Sequence, residues 1–201
     1  MTGLLCYCRA GFEPELAAEL TTRAAEAGYP GYARTDRDSG HVVFMADDAA
    51  ALSRKLPWRE LIFARQKLVL LVELRGLGTQ DRITPIIDAL MHPAAATLYG
   101  EPGFGQPGFG QLVVEHPDSD AAKPLSGLAR AFGNALRPAL RKAGRLSERD
   151  DTTLPRLHVC FITGDHAFIA YSDPGDSAPW PLGIPRLRLH RDAPSRSALK
   201  L

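Results

Sequence analysis

The order of local patterns between Leu4 and Leu74 limits this chain more than any single motif. Leu4 to Cys8 reads as a short strand. A helix follows from about Pro14 to Ala27, because Leu16, Leu20 and Ala24 recur every four residues and so form one apolar stripe. Glu13 and Glu15 face the positive end of that helix, and Gly28 stops it. Tyr32 to Thr35 is a candidate strand, Asp38-Ser39-Gly40 a turn, and His41 to Met45 the next strand. Asp47 or Asp48 caps a helix running to about Leu56, which Pro57 ends. Leu61 to Leu74 holds the β-branched run Leu68 to Val72 and reads as a long or bent strand. The resulting order, βαββαβ, is that of the ferredoxin-like split βαβ unit.

The second half predicts a helix near Asp81 to Met91, a strand at Leu112 to Glu115, and a long helix from about Pro124 to Ala143. Pro138 lies inside that helix and predicts a kink or a break. Leu157 to Ile162 and Ala167 to Tyr171 form a strand pair around Thr163-Gly164-Asp165, and Ile184 to Leu189 is a last candidate strand. Between the first helix and strand, PGFGQ occurs at 102–106 and again at 107–111. No Lys-Ser/Thr pair follows it, so it reads as a flexible surface insertion rather than a phosphate loop. The fold class is α+β, with two α/β lobes meeting near Gly76 to Gln80.

An apolar content of 45% excludes a disordered chain. The longest apolar run, Leu68 to Val72, is far short of the roughly 18 residues a membrane span needs. Three cysteines, an odd number, fit a reducing compartment, and no basic-then-apolar leader opens the chain; the expected location is the cytoplasm. Cys6 and Cys8 share one strand face and read as core or half-buried thiols. His158 and Cys160 also share a face, but nothing nearby completes a zinc set, and no metal is expected. With neither G-x-S-x-G nor a dinucleotide fingerprint after a strand, the chain carries no complete catalytic centre of its own.

Charge is uneven. Residues 1–122 carry 11 Lys/Arg and 16 Asp/Glu, whereas residues 123–201 carry 13 and 7. In the helix near 124–143, Leu125, Leu128, Ala129, Phe132, Leu136 and Leu140 fall on one side. Arg130, Arg137, Arg141, Lys142 and Arg145 fall on the other. Such a row can reach successive phosphates, or it can be a solvated outer face. Membrane attachment is a third reading, disfavoured by the Ala-rich apolar side. Arg186 and Arg188 alternate with Leu187 and Leu189, and Arg191 and Arg196 extend the charge. This second basic element favours nucleic acid. A protein-interaction module without RNA affinity is the alternative.

Several segments together match a known family: CRAGFEPELAAEL at 8–20, LPWRELIFARQ at 56–66, DRITPI at 81–86, GIPRLRL at 183–189 and DAPSRSALKL at 192–201. The chain resembles the N-terminal part of the large-subunit ribosomal RNA methyltransferase M family, over nearly all of its length. The glycine-phenylalanine duplication departs from the family pattern between about Leu98 and Gln111. The resemblance implies a ferredoxin-like domain at 1–78, an RNA-binding α/β THUMP domain at 79–191, and the start of a Rossmann-like methyltransferase domain at 192–201. It implies S-adenosylmethionine as cofactor of the full-length enzyme, with none bound by this part. It implies methylation of one cytidine ribose 2′-hydroxyl in 23S rRNA, before ribosome assembly is complete, by a monomer with no membrane attachment. It also implies that Lys200, within SRSALKL, is the first Lys of a Lys-Asp-Lys-Glu catalytic set whose other members lie further on.

Overall fold

The computed structural model describes residues 2–93, 95 and 108–185. Among the described residues, seven strands and four α-helices follow in the order β1 (Thr2–Tyr7), α1 (Glu13–Glu26), β2 (Gly31–Arg34), β3 (His41–Ala46), α2 (Ala49–Lys55), β4 (Gln66–Leu74) and α3 (Ile83–Met91). Then come β5 (Gln111–Glu115), α4 (Ser126–Lys142), β6 (Arg156–Phe161) and β7 (Ala167–Ser172). Local chemistry sets the helix starts. The Asp48 carboxylate accepts from the Ala51 amide at 2.8 Å, and Asp81 accepts from Ile83 and Thr84, so each satisfies donors that the first turn leaves free.

All seven strands join one sheet in the order β2-β3-β1-β4-β7-β6-β5. The first four reproduce the ferredoxin-like arrangement expected from the βαββαβ order. The residues of the two expected lobes form two contiguous blocks of one sheet. In the first block β4 bonds only β1, which leaves its outer edge open; β7 pairs antiparallel along that edge, from Val69↔Tyr171 to Leu74↔Ala167. An exposed edge is a row of unpaired amides and carbonyls, and pairing it removes that cost. The ladder shifts register between Leu70 and Val72, which places the expected bend of this strand at a bulge.

Helices cover one face. There Leu4, Phe44, Val69, Val159 and Ile169 pack with Leu16 and Leu20 of α1, Leu52 of α2, Ile86 and Leu90 of α3, and Leu136 and Leu140 of α4 in one apolar cluster. That cluster runs through both blocks, so they share a core. The opposite face carries a smaller cluster of Leu5, Tyr7, Val43, Leu68, Leu70, Cys160, Phe168 and Ala170. Cys6 and Cys8 lie in the helix-side core as expected, and burial pushes both thiols up to about 12.

Three local expectations need correction. The strand expected from Leu61 begins only at Gln66, because the Glu19 carboxylate takes the Ile62 and Phe63 amides at 2.7 and 3.1 Å and holds that stretch as a loop. Helix α4 runs unbroken through Pro138; the ring sits on the exposed side, where the carbonyl that loses its partner can turn to water. Ile184 and Pro185 are not in a strand, and the rest of the candidate strand at Ile184 to Leu189 lies outside the described residues, as does the first PGFGQ copy.

Beyond β7 the chain returns across the junction of the blocks. Gln66 of β4 exchanges two hydrogen bonds with Ala178, at 3.1 and 3.0 Å. Asp176 accepts from the Trp58 amide at 2.6 Å and from Lys67. The buried Lys67 ammonium also donates to the Ser53 carbonyl at 2.7 Å and to Leu56, at the end of α2, so its charge is paired and its donors are used. Gly183 has φ +69°, and a Cβ there would lie 1.9 Å from the Arg65 carbonyl oxygen. Gly183→Ala is therefore expected to lower stability by about 2 kcal/mol or more in chemical denaturation. Gly164→Ala, which meets nothing within 4 Å, should stay within about 0.5 kcal/mol of wild type.

Candidate nucleic-acid interface

Helix α4 presents the expected two sides. Ala129, Phe132, Leu136 and Leu140 are buried, and Phe132 meets Phe161 of β6 edge-on, with centroids 5.3 Å apart. On the outer side Arg130 and Lys142 are exposed. The other expected cations have partners within the chain. Arg137 donates to the Asp150 carboxylate at 3.3 Å and to the Leu112 carbonyl at 3.1 Å. Arg141 donates to the Ser147 carbonyl at 3.0 Å and lies 3.9 Å from the same Asp150. The Arg145 guanidinium reaches the Met91 sulfur at 2.9 Å. One carboxylate thus faces two of the row's guanidinium groups, which weakens the field a phosphate would meet. Arg186, Arg188, Arg191, Arg196 and Lys200 lie outside the described residues.

A second cluster of cations escaped the sequence reading. A cleft of about 750 Å³ opens where the two blocks meet, lined by Arg9, Arg37, Arg65 and Lys123, with Asp38, Asp118 and Asp120 among them. Arg9 follows the end of β1 and Arg65 precedes β4, and those strands are antiparallel neighbours. Antiparallel pairing places the end of one strand beside the start of the other, so this clustering was inferable once the strand order was known. Arg65 pairs with Asp118 at 2.7 Å and Lys123 with Asp120 at 2.5 Å. Both pairs are substantially exposed, and such pairs contribute little.

Beneath the sheet's other face lies a buried polar chain. Glu115 of β5 accepts from the Tyr7 hydroxyl of β1 at 2.9 Å and from the Leu182 amide at 3.1 Å. Its Oε1 is 2.8 Å from His158 Nδ1, and His158 Nε2 is 3.0 Å from the Ser172 hydroxyl. The Ser-His-Glu order resembles a nucleophile relay, but Ser172, His158 and Glu115 are each buried and none lines a described cavity. The chain ties β1 to β5, β6 and β7. Burial alone would raise the Glu115 pKa, but the contacts to His158, Tyr7 and Leu182 outweigh it and hold the carboxyl below its ordinary range. Burial first, then the nearby Cys160 and Glu115, push the Tyr7 hydroxyl well up. His158 and Cys160, expected to share a face, do not come together as ligands; among the described residues no group of three potential metal-binding side chains is assembled.

Two family models cover most of the chain. One, described as the RlmM ferredoxin-like domain, matches residues 1–68. The other, described as Ribosomal RNA large subunit methyltransferase M, N-terminal, matches residues 81–173. The protein of that name from Xanthomonas campestris pv. campestris strain B100 is 65% identical over 201 residues, all of this chain and 54% of the relative. The one from Stenotrophomonas maltophilia strain K279a is 64% identical over 199 residues, 99% of this chain and 52% of the relative. The chain therefore spans about half the length of the curated relatives it matches. Among solved structures, PH1313 from Pyrococcus horikoshii Ot3 aligns with a TM-score of 0.53 at 11% identity, over 86% of this chain and 54% of that one. A Listeria monocytogenes protein titled a predicted N6-adenine-specific DNA methylase aligns at 0.50 with 15% identity, over 85% and 40%. At these identities the likeness is one of fold.

The Glu115 chain yields a pH test. A carboxyl whose folded pKa is depressed contributes stability that is complete above its unfolded value near 4.5 and is lost as pH falls through the folded value. Glu115→Gln should cost about 1–3 kcal/mol at pH 7, measured by urea unfolding. The gap to wild type should close in acid. A gap independent of pH would show that the charge of Glu115 contributes nothing.

Proposed function

Because the chain belongs to the ribosomal RNA large subunit methyltransferase M family, we propose that it binds and positions 23S rRNA for 2′-O-methylation of a cytidine ribose. The observation that carries this reading is the match of two consecutive family models to residues 1–68 and 81–173. In this reading residues 1–78 are the ferredoxin-like domain, 79–191 a THUMP RNA-binding domain, and 192–201 the start of the methyltransferase domain. The protein acts as a monomer in the cytoplasm, on rRNA not yet fully assembled. Among the described residues no helix is long and apolar enough to cross a membrane.

The methyl donor of the full-length protein would be S-adenosylmethionine, which supplies an electrophilic methyl group. The described residues do not fit it. At the turn from β1 into α1, the Gly11 amide is committed to the buried Glu13 carboxylate at 3.0 Å, so that turn is closed by the chain itself. The chemistry is assigned to the remaining half of the relatives' length, and the contribution of this chain is to hold the substrate. Recognition of folded RNA rests mainly on phosphates and 2′-hydroxyls, because the deep major groove of an A-form helix hides its base edges. Arg130, Arg137, Arg141, Lys142 and Arg145 would take phosphates, joined by Arg186, Arg188, Arg191 and Arg196. Lys200 would orient the ribose and stabilise its hydroxyl as the proton leaves.

Two outcomes test this reading. Asp150→Asn releases Arg137 and Arg141, so it should tighten binding to a 23S rRNA fragment a few-fold and steepen the dependence of log affinity on log salt by up to about 1. An unchanged slope would remove the α4 face from the interface. In the full-length protein, Lys200→Ala should slow single-turnover methylation at saturating RNA and cofactor by about 100-fold or more, with RNA affinity retained. A full-rate variant would remove Lys200 from the catalytic set.

A further inference from the structure

Two loops meet beside the junction cleft with an arrangement that folding alone does not require. Phe12, at the start of α1, is 39% exposed. Its ring stacks on Phe63, with centroids 6.1 Å apart and planes 28° apart. The Arg9 guanidinium lies over the same ring, 5.8 Å from its centre. Ile62, next to Phe63, is 82% exposed. Arg9 also lines the cleft that holds Arg37, Arg65 and Lys123, so one side chain belongs to both the aromatic and the basic surface.

These groups are held in place. The Glu13 carboxylate, 1% exposed, accepts from Gly11 at 3.0 Å, from Gly40 at 2.7 Å and from Asp38 at 3.3 Å. It thereby locks the Arg9–Phe12 loop to the β2–β3 turn that carries Arg37. The Glu19 carboxylate fixes Ile62 and Phe63 from the other side. A buried charge satisfied by three amides leaves its loops little freedom, so the backbone that carries Arg9, Phe12 and Arg37 is held in place without a ligand.

We propose that Phe12 is a stacking platform for one unpaired base of a single-stranded RNA segment, whose flanking phosphates lie against Arg9, Arg37, Arg65 and Lys123. This rests on the RNA-binding reading above and places a base-contacting site in the ferredoxin-like block, away from helix α4. Base–aromatic stacking outweighs an exposed cation–π contact, so the base takes the ring face and Arg9 moves to a phosphate. The carboxylates in the cleft do not prevent this. Arg37 and Asp38 are 94% and 67% exposed at 3.6 Å, Lys123 and Asp120 are 71% and 94% exposed, and such pairs exchange one anion for another at little cost. An apolar docking surface for a protein would not need four cations at its rim.

The test is a titration of the chain with a labelled single-stranded oligoribonucleotide of about ten nucleotides, a length within the range one such module covers, and with the same sequence as a duplex. Phe12→Tyr should bind like wild type. Phe12→Leu should lose about tenfold on the single strand and little on the duplex, with an unchanged melting curve. Arg9→Ala should weaken binding and flatten the salt slope by about 1. If Phe12→Leu fails to fold, Phe12→Trp serves instead: single-stranded RNA should quench its emission more than that of wild type, which carries Trp58 and Trp180; equal quenching of the two would overturn the platform. RNA binding by wild type with no effect of Phe12→Leu or Arg9→Ala, or equal losses on both RNAs, overturns the platform and leaves the broader reading standing. No RNA binding by wild type overturns both.

Discussion

The antiparallel pairing of β4 with β7 is the contact on which the rest of the molecule depends. Without it, β4 would present an open edge on its side away from β1, and β7 an open edge on its side away from β6. With it, the helix-side core runs from α1 to α4 without interruption. The ladder between β4 and β7 shifts register between Leu70 and Val72, as a bulge on the longer strand does.

Polar contacts fix how the two blocks sit at that junction. The apolar core favours contact but does not choose among nearby registers, since burial is non-directional. The Tyr7–Glu115–His158–Ser172 chain and the Lys67–Asp176 pair are directional, and each joins a residue of the first block to one of the second. A slip of one residue would leave Glu115 or Lys67 buried without partners, which costs far more than it would save in packing. These groups resemble catalytic machinery in composition, yet their burial assigns them to architecture.

The surface charges divide differently from their distribution along the chain. The basic second half contributes the α4 row, but the 147–150 segment folds back and sets Asp150 against Arg137 and Arg141. The acidic first half contributes three of the four cations of the junction cleft, because its strand ends converge there. Net charge per segment is therefore a poor guide to local field when chain reversals bring opposite charges within a few ångströms.

The sequence by itself determined the local elements, and it did so through periodicity. The four-residue spacing of Leu16, Leu20 and Ala24, the two sides of α4 and the strand pair at 156–172 all reappear in the structure, because burying one face of a helix or strand is a short-range requirement. It also carried the segments that identify the family. Pro138 did not break its helix, since a proline on the exposed side removes one hydrogen bond that water can replace. Tertiary structure alone decided that β4 accepts β7 as well as β1, that Glu115 meets Tyr7 from 108 residues away, that Asp150 faces two arginines of the basic row, and that Arg9, Phe12 and Arg65 share one corner. Each of these depends on which strand edges and loops meet after the chain closes, and residues distant in sequence leave no periodic trace of that meeting.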